Sequence, residues 1–118
     1  MNDRELLELA AKAAGMSHLT EWSDFISDYD SAHYGGAAMH ASGIGGECKS
    51  WNPLTDDGDA LRLAVKLDML VDAEVCASVI CPDKNGGMFH IEENHEGDKY
   101  AAARRAIVRA AAEIGRAM

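Results

Sequence analysis

Three arginines near the end of the chain, Arg104, Arg105 and Arg109, are the residues best suited to recognition chemistry. A guanidinium is a planar fork of donors that matches a phosphate or carboxylate two bonds at a time. Consecutive residues on a helix are about 100° apart, so Arg104 and Arg105 cannot share its most solvated line. Arg104 has Tyr100 and Val108 one turn away on either side, which places it at the edge of a packed face. Trp51, Trp22 and Tyr34 carry rings that can stack on a base. His40 stands in a Gly-rich stretch that can close over a ligand. The expected ligand-binding set is Arg104, Arg105, Arg109, Trp51, Tyr34 and His40, holding a small anion. The competing reading is plainer: the arginines are solvated charges balancing an acidic body, and the rings pack in the core.

Nothing in the sequence spells catalysis. His18, His33, His40, His90 and His95 have no zinc-motif spacing, and H-x-x-x-H is absent. No bound metal and no cofactor is expected. Asp56, Asp57 and Asp59 resemble a magnesium cluster only superficially, because carboxylates at a helix start serve as caps and dipole partners. Cys48 sits near glycines without the adjacent base that activates a nucleophile. Cys48, Cys76 and Cys81 cannot all pair within one chain, so they read as three small thiols in a reducing compartment. Cys76 and Cys81 have opposite parity in one extended run and are expected to face opposite sides of a sheet. The segment His33–Glu47 holds five glycines in fifteen residues. It has no Gly-Lys-Ser/Thr ending and no strand–loop–helix succession, so it is neither a Walker A loop nor a dinucleotide fingerprint.

The formal charge of −9 argues against general nucleic-acid binding, which calls for a basic face. The charge is uneven. Residues from Lys99 onward carry five basic groups against Glu113, a balance of +4, which leaves −13 for the rest. One positive surface on an acidic body attracts a compact anion more readily than a long polyanion. No apolar run approaches membrane-spanning length, and the charged start Met1-Asn2-Asp3-Arg4-Glu5 lacks a signal-peptide core. The expected location is cytoplasmic, with no membrane partner.

These groups need a scaffold, and the length of 118 residues with 47% apolar content predicts one globular domain spanning 1–118. Asn2 or Asp3 caps a first helix to about Ala14, stopped by Gly15, with Leu6, Leu9, Ala10 and Ala13 as its apolar face. His18–Ile26 fits helix or strand by spacing. Part of the Gly-rich segment can form a short strand. Asn52-Pro53 signals a helix start, with Trp51 folding back as a staple. Asp59, Arg62 and Lys66 make one narrow solvated stripe on that helix, and Leu61, Leu63, Ala64, Val65 and Leu67 predict burial on more than one side. Val71–Cys81 reads as a strand, Pro82–Gly87 as a turn, and Met88–Glu92 as the returning strand of an antiparallel hairpin. Asp98 caps a last helix over Lys99–Arg116, with Tyr100, Ala103, Ile107, Ala110 or Ala111, and Ile114 on its apolar face.

Two long runs and one short one carry a resemblance. They are Trp51-Asn52-Pro53-Leu54-Thr55-Asp56-Asp57-Gly58-Asp59-Ala60-Leu61-Arg62-Leu63-Ala64-Val65-Lys66-Leu67, then Tyr100 to Gly115 (Tyr-Ala-Ala-Ala-Arg-Arg-Ala-Ile-Val-Arg-Ala-Ala-Ala-Glu-Ile-Gly), and the opening Arg4-Glu5-Leu6-Leu7-Glu8-Leu9-Ala10-Ala11-Lys12-Ala13-Ala14-Gly15. Together they make up 45 of the 118 residues. They resemble the phage ABA sandwich domain family of small phage and prophage proteins. The Gly-rich region between Ser31 and Ser50 departs from that family's pattern. The resemblance implies helices packed on a sheet and favours a strand within His18–Ile26. It implies no catalytic residues.

The expected fold is therefore α/β: a small, mainly antiparallel sheet with helices packed on it, sandwich-like. The expected function is that of a phage accessory, counter-defence protein. It binds and sequesters a nucleotide-derived signal of the infected host, as a sponge rather than an enzyme. Two other classes compete: a protein that engages a host factor through its acidic surface, and a hydrolase acting on a nucleotide signal. A homo-oligomer suits so small a binder, because an interface can complete a pocket.

Overall fold

The computed structural model describes residues 2–16, 21–23, 38–42, 48–83 and 85–118. Tyr34, His18 and His33 lie outside them, as do the flanks of the Gly-rich segment. The architecture is α/β. Helix α1 (Asp3–Ala13) is followed by β1 (Glu21–Ser23), β2 (Ala38–Ser42) and β3 (Cys48–Trp51), then helix α2 (Asp57–Lys66). Strands β4 (Leu70–Asp72), β5 (Ala77–Pro82) and β6 (Met88–Glu93) follow, and helix α3 (Lys99–Arg116) closes the chain. The strands form two three-stranded antiparallel sheets, β1-β2-β3 and β4-β5-β6. Within the first sheet, β1 supplies the strand expected in His18–Ile26 and β2 the one expected in the Gly-rich segment. Helix α3 is the shared element: α1 and α2 pack on it, and it lies on β5 and β6.

Local chemistry explains the helix ends. The Asn2 Oδ1 accepts the Glu5 N–H at 2.9 Å, and Gly15 takes φ +73° just past the last turn of α1, a conformation a side chain disfavours. The buried face of α1 is Leu6, Leu7, Ala10, Ala11 and Ala14. It is rotated from the expected one, and Leu9 and Ala13 are only half-buried, because the helix is aimed at α3. The contact there is very close. A Cβ on Gly115 of α3 would stand 2.0 Å from the Leu9 carbonyl oxygen.

Helix α2 corrects three expectations. Its cap is Asp56, whose Oδ2 accepts the Asp59 N–H at 2.8 Å. Asn52 instead closes a separate turn, in which its Oδ1 accepts the Leu54 N–H and its carbonyl the Asp56 N–H, both at 3.0 Å. Asp59 is not part of a solvated stripe; it is 2% exposed. Nor is α2 buried on more than one side. Ala60, Leu63 and Ala64 are buried, whereas Leu61 is 64% and Val65 68% exposed.

The run expected to be one strand from Val71 to Cys81 is two antiparallel strands, with Val71 paired to Val79. The break begins where the Asp72 carboxylate accepts the Glu74 N–H at 2.9 Å, a side-chain turn that ends the extended run. The alternation in β5 is as expected: Ala77, Val79 and Cys81 are fully buried toward α3. The β5–β6 hairpin also stands as expected, with Phe89 and Ile91 on its half-buried side. Asp83 holds its turn, accepting from the N–H groups of Asn85 at 2.8 Å and Gly87 at 2.9 Å.

Helix α3 has the expected bounds and the Asp98 cap, whose Oδ1 accepts the Ala101 N–H at 3.0 Å. Its buried surface is broader than one stripe, taking in Ala106, Ile107, Val108, Ala110, Ala111 and Ala112. Helices lie on one side of it and strands on the other, and small side chains permit both approaches. Tyr100, expected on the apolar face, is 72% exposed.

Candidate binding site

The three arginines of α3 do not converge. Arg104 donates from Nε to the Leu54 carbonyl at 2.8 Å and from a terminal nitrogen to Asp57 Oδ1 at 2.6 Å. Its side chain is 17% exposed, at the edge of the packed face as its neighbours predict. Arg105 reaches Asp3 Oδ1 at 3.0 Å. Arg109 donates to the Glu92 carbonyl at 3.1 Å and to Glu93 Oε1 at 2.8 Å. Each guanidinium thus meets a carboxylate of this chain, and together they fasten α3 to the α2 start, to α1 and to β6. Of the other expected site residues, His40 lies in β2 opposite Glu21 and Ser50, with its side chain outside the described part. Trp51, at the end of β3, is buried.

Trp51 lines a cleft of about 120 Å³ together with Met16, Leu63, Asp59 and the Arg62–Lys66 edge of α2. Arg62 bridges to Asp59 Oδ1 at 2.6 Å while most of its side chain stays in solvent. No carboxylate among the described residues pairs with Lys66, which is exposed at the same rim. Arg62 and Lys66 are four residues apart and therefore point the same way from the helix. Spacing shows this pair in the sequence. Trp51, expected to fold back on this helix as a staple, lines the cleft beside that pair.

A second cleft, about 200 Å³, lies at the start of α3 among Glu93, His95, Asp98 and Arg105. The His95 Nε2 is buried there without a hydrogen-bond partner. Its three carboxylates, of Glu93, Glu96 and Asp98, outnumber its one cation, Arg105, which is paired with Asp3, whereas the Trp51 cleft has Asp59 against Arg62 and Lys66.

On the outer face of the second sheet, the Ser78 hydroxyl lies 2.5 Å from His90 Nε2, and Glu92 Oε1 is 3.5 Å from the same nitrogen. This trio was not singled out from sequence; the hairpin register, which pairs Ser78 with Glu92, is the signal that reveals it. A relay needs the acid on the opposite ring nitrogen, orienting the base. Here hydroxyl and carboxylate compete for one nitrogen on an open surface, so the arrangement does not activate the serine.

Asp56, Asp57 and Asp59 are committed to a cap, to Arg104, and to Arg62 with the Asn52 N–H. No group of three or more metal-ligating side chains gathers among the described residues. Burial, with a smaller push from Asp68, raises the Cys81 thiol to about 11. A thiol is nucleophilic only as thiolate, so native Cys81 should resist iodoacetamide while half-buried Cys76 reacts, as peptide mapping after a short exposure would show. The raised value also stabilises the fold below the ordinary thiol range, and that contribution is lost as pH rises from about 9 toward 11. Equal labelling of Cys76 and Cys81 would contradict the packing. No protein-family model, curated protein or solved structure matches the chain.

Proposed function

We propose that the protein binds a small, nucleotide-derived anion and holds it without chemistry, in the cleft between Trp51 and the Arg62–Lys66 edge of α2. The observation that carries this reading is Lys66: its ammonium has no carboxylate partner among the described residues, beside an indole wall and a second cation. The α3 arginines have their charges met within the chain, as does Arg62, so it is Lys66 that favours α2 over α3 as the anion site. The cleft's 120 Å³ is small against ligand pockets of roughly 300–1,000 Å³. It seats one phosphate or ring edge, and a second copy of the chain would complete the enclosure. The net charge of −9 favours a compact guest over a nucleic acid. Together with the resemblance to small phage proteins, these features support sequestration of a host signal as a counter-defence role.

Thermal denaturation with a panel of mononucleotides, cyclic nucleotides and inorganic phosphate tests this. A guest at one hundred times its Kd adds about 2.7 kcal/mol by mass action. It should be recovered intact by mass spectrometry after denaturation. Lys66→Ala should weaken binding about tenfold, because the side chain is exposed and its loss leaves the fold in place. A panel that stabilises nothing, or a K66A protein that binds equally well, defeats the assignment. Recovery of an altered guest would replace binding by catalysis.

A further inference from the structure

We propose a second, independent site: the cleft between β6 and the end of α3 binds a small amine, a protonated nitrogen carried on an apolar or aromatic body. The cleft is about 340 Å³, inside the range of roughly 300–1,000 Å³ for small-molecule pockets. Phe89 and Ile91 of β6 line it, with Ile114 of α3 and Ala117 just past that helix. The period of two in β6 sets Phe89 and Ile91 on one side of the strand. They and Ile114 are only half-buried. A flat apolar guest would therefore take from water a surface that the chain itself leaves partly wet.

The lining itself gives the guest its sign. Asp83 and Glu113 both line the cleft, and no lysine or arginine among the described residues does. Asp83 takes both of its turn bonds on Oδ1, from the N–H groups of Asn85 and Gly87. Its Oδ2 has no partner among the described residues. The two amides hold this carboxylate in place without cancelling its charge. Glu113 meets Arg116 at 3.3 Å, an exposed pair of the kind that contributes little. His90 also borders the cleft, with its Nε2 beside the Ser78 hydroxyl. An aromatic ring such as that of Phe89 attracts an ammonium to its face. An anion would meet two carboxylates here, and a second copy of the chain would bring its own net −9 against them. The apolar lining and the two acids together fit an amine on a ring or a short alkyl chain.

The full chain is titrated by calorimetry with phenethylamine, with neutral phenethyl alcohol and with phenylacetate. The three share one ring and differ in charge. The expected result is saturable binding of the amine, with the alcohol and the acid at least tenfold weaker. The variant Asp83→Asn/Glu113→Gln removes both charges and keeps an amide oxygen to accept the turn bonds. Checked for an unchanged melting temperature, it should lose at least tenfold in affinity for the amine. No binding of the amine, equal binding of all three compounds, or a D83N/E113Q protein that binds as before overturns the proposal. So does light scattering that shows a dimer dissociated by Ile114→Ser, because the cleft then belongs to a second copy. Lys66→Ala should leave amine binding unchanged, which separates this site from the anion cleft, and a K66A protein that loses the amine overturns the placement.

Discussion

Gly115→Ala should lower stability by about 2 kcal/mol, a fall in Tm of roughly 8 °C for a domain of this size. Helix propensity alone predicts the opposite sign, since alanine in a helix interior is favoured over glycine by about 0.8–1 kcal/mol. Packing decides between them. The new methyl would stand 2.0 Å from the Leu9 carbonyl oxygen and 2.8 Å from its carbon. These are backbone atoms of α1 and cannot rotate away as a side chain would. Relief requires that α1 and α3 separate or that the last turn of α3 unwind. Separation opens the seam where Leu7, Ala10 and Ala11 are buried. Unwinding breaks the terminal bonds from the Ala117 N–H to Glu113 and from the Met118 N–H to Gly115, and it frees Met118, whose carbonyl accepts from Lys12 Nζ at 3.4 Å. The cheaper escape sets the cost, hence a value within the overpacking range rather than above it. Urea unfolding of the wild type and G115A reads the difference directly. A stabilised G115A would mean that the two helices do not meet as closely as described.

That glycine marks where sequence reading stops. Three features were legible because their causes are local: the caps at Asn2 and Asp98, the Gly15 stop, and the β5–β6 hairpin with its Asp83–Gly87 turn. The caps, the stop and the hairpin's turn each depend on residues within five positions of one another. The α/β class was legible too, from the change of apolar period between α2 and the hairpin. The errors share a different cause. Leu9, Tyr100, Leu61 and Val65 have apolar side chains at helical spacing, and spacing says which residues share a face without saying whether another element arrives to cover it. The arginines show the same limit. Their spacing on α3 was clear, but their partners Asp3, Asp57 and Glu93 come from three other parts of the chain. A sequence reader counts Arg104, Arg105 and Arg109 as a positive surface because their neutralising carboxylates are between 16 and 102 positions away. The Trp51 cleft was partly visible: the Arg62–Lys66 pair is a helix-periodicity fact and Trp51 reads as a staple on the same helix, whereas Met16, from the end of α1, comes from far along the chain.

Asp59→Ala should cost about 3 kcal/mol, and Arg62→Ala about 1 kcal/mol or less, although the two residues form a 2.6 Å ion pair. The asymmetry follows from burial. Asp59 is buried, and its Oδ2 accepts the N–H of Asn52 at 3.0 Å, a residue itself buried. Removing the carboxylate strands that N–H away from water, a loss of about 1–3 kcal/mol. It also removes an anion from the first turn of α2, where the helix dipole adds roughly 0.3–1 kcal/mol. Arg62 is mostly exposed, and cutting it back to alanine opens the Asp59 Oδ1 to water from the cleft, so the pair itself contributes little. Asp59→Asn should fall between the two, because its amide oxygen can still accept from Asn52 while the charge is gone. A double-mutant cycle with Arg62→Ala should give a coupling below about 1 kcal/mol, read from urea midpoints at unchanged m-value. If R62A costs as much as D59A, the ion pair holds the turn and the buried amide bond does not. The distinction bears on the proposed cleft, since the Asn52 turn that Asp59 holds follows Trp51 directly in the chain.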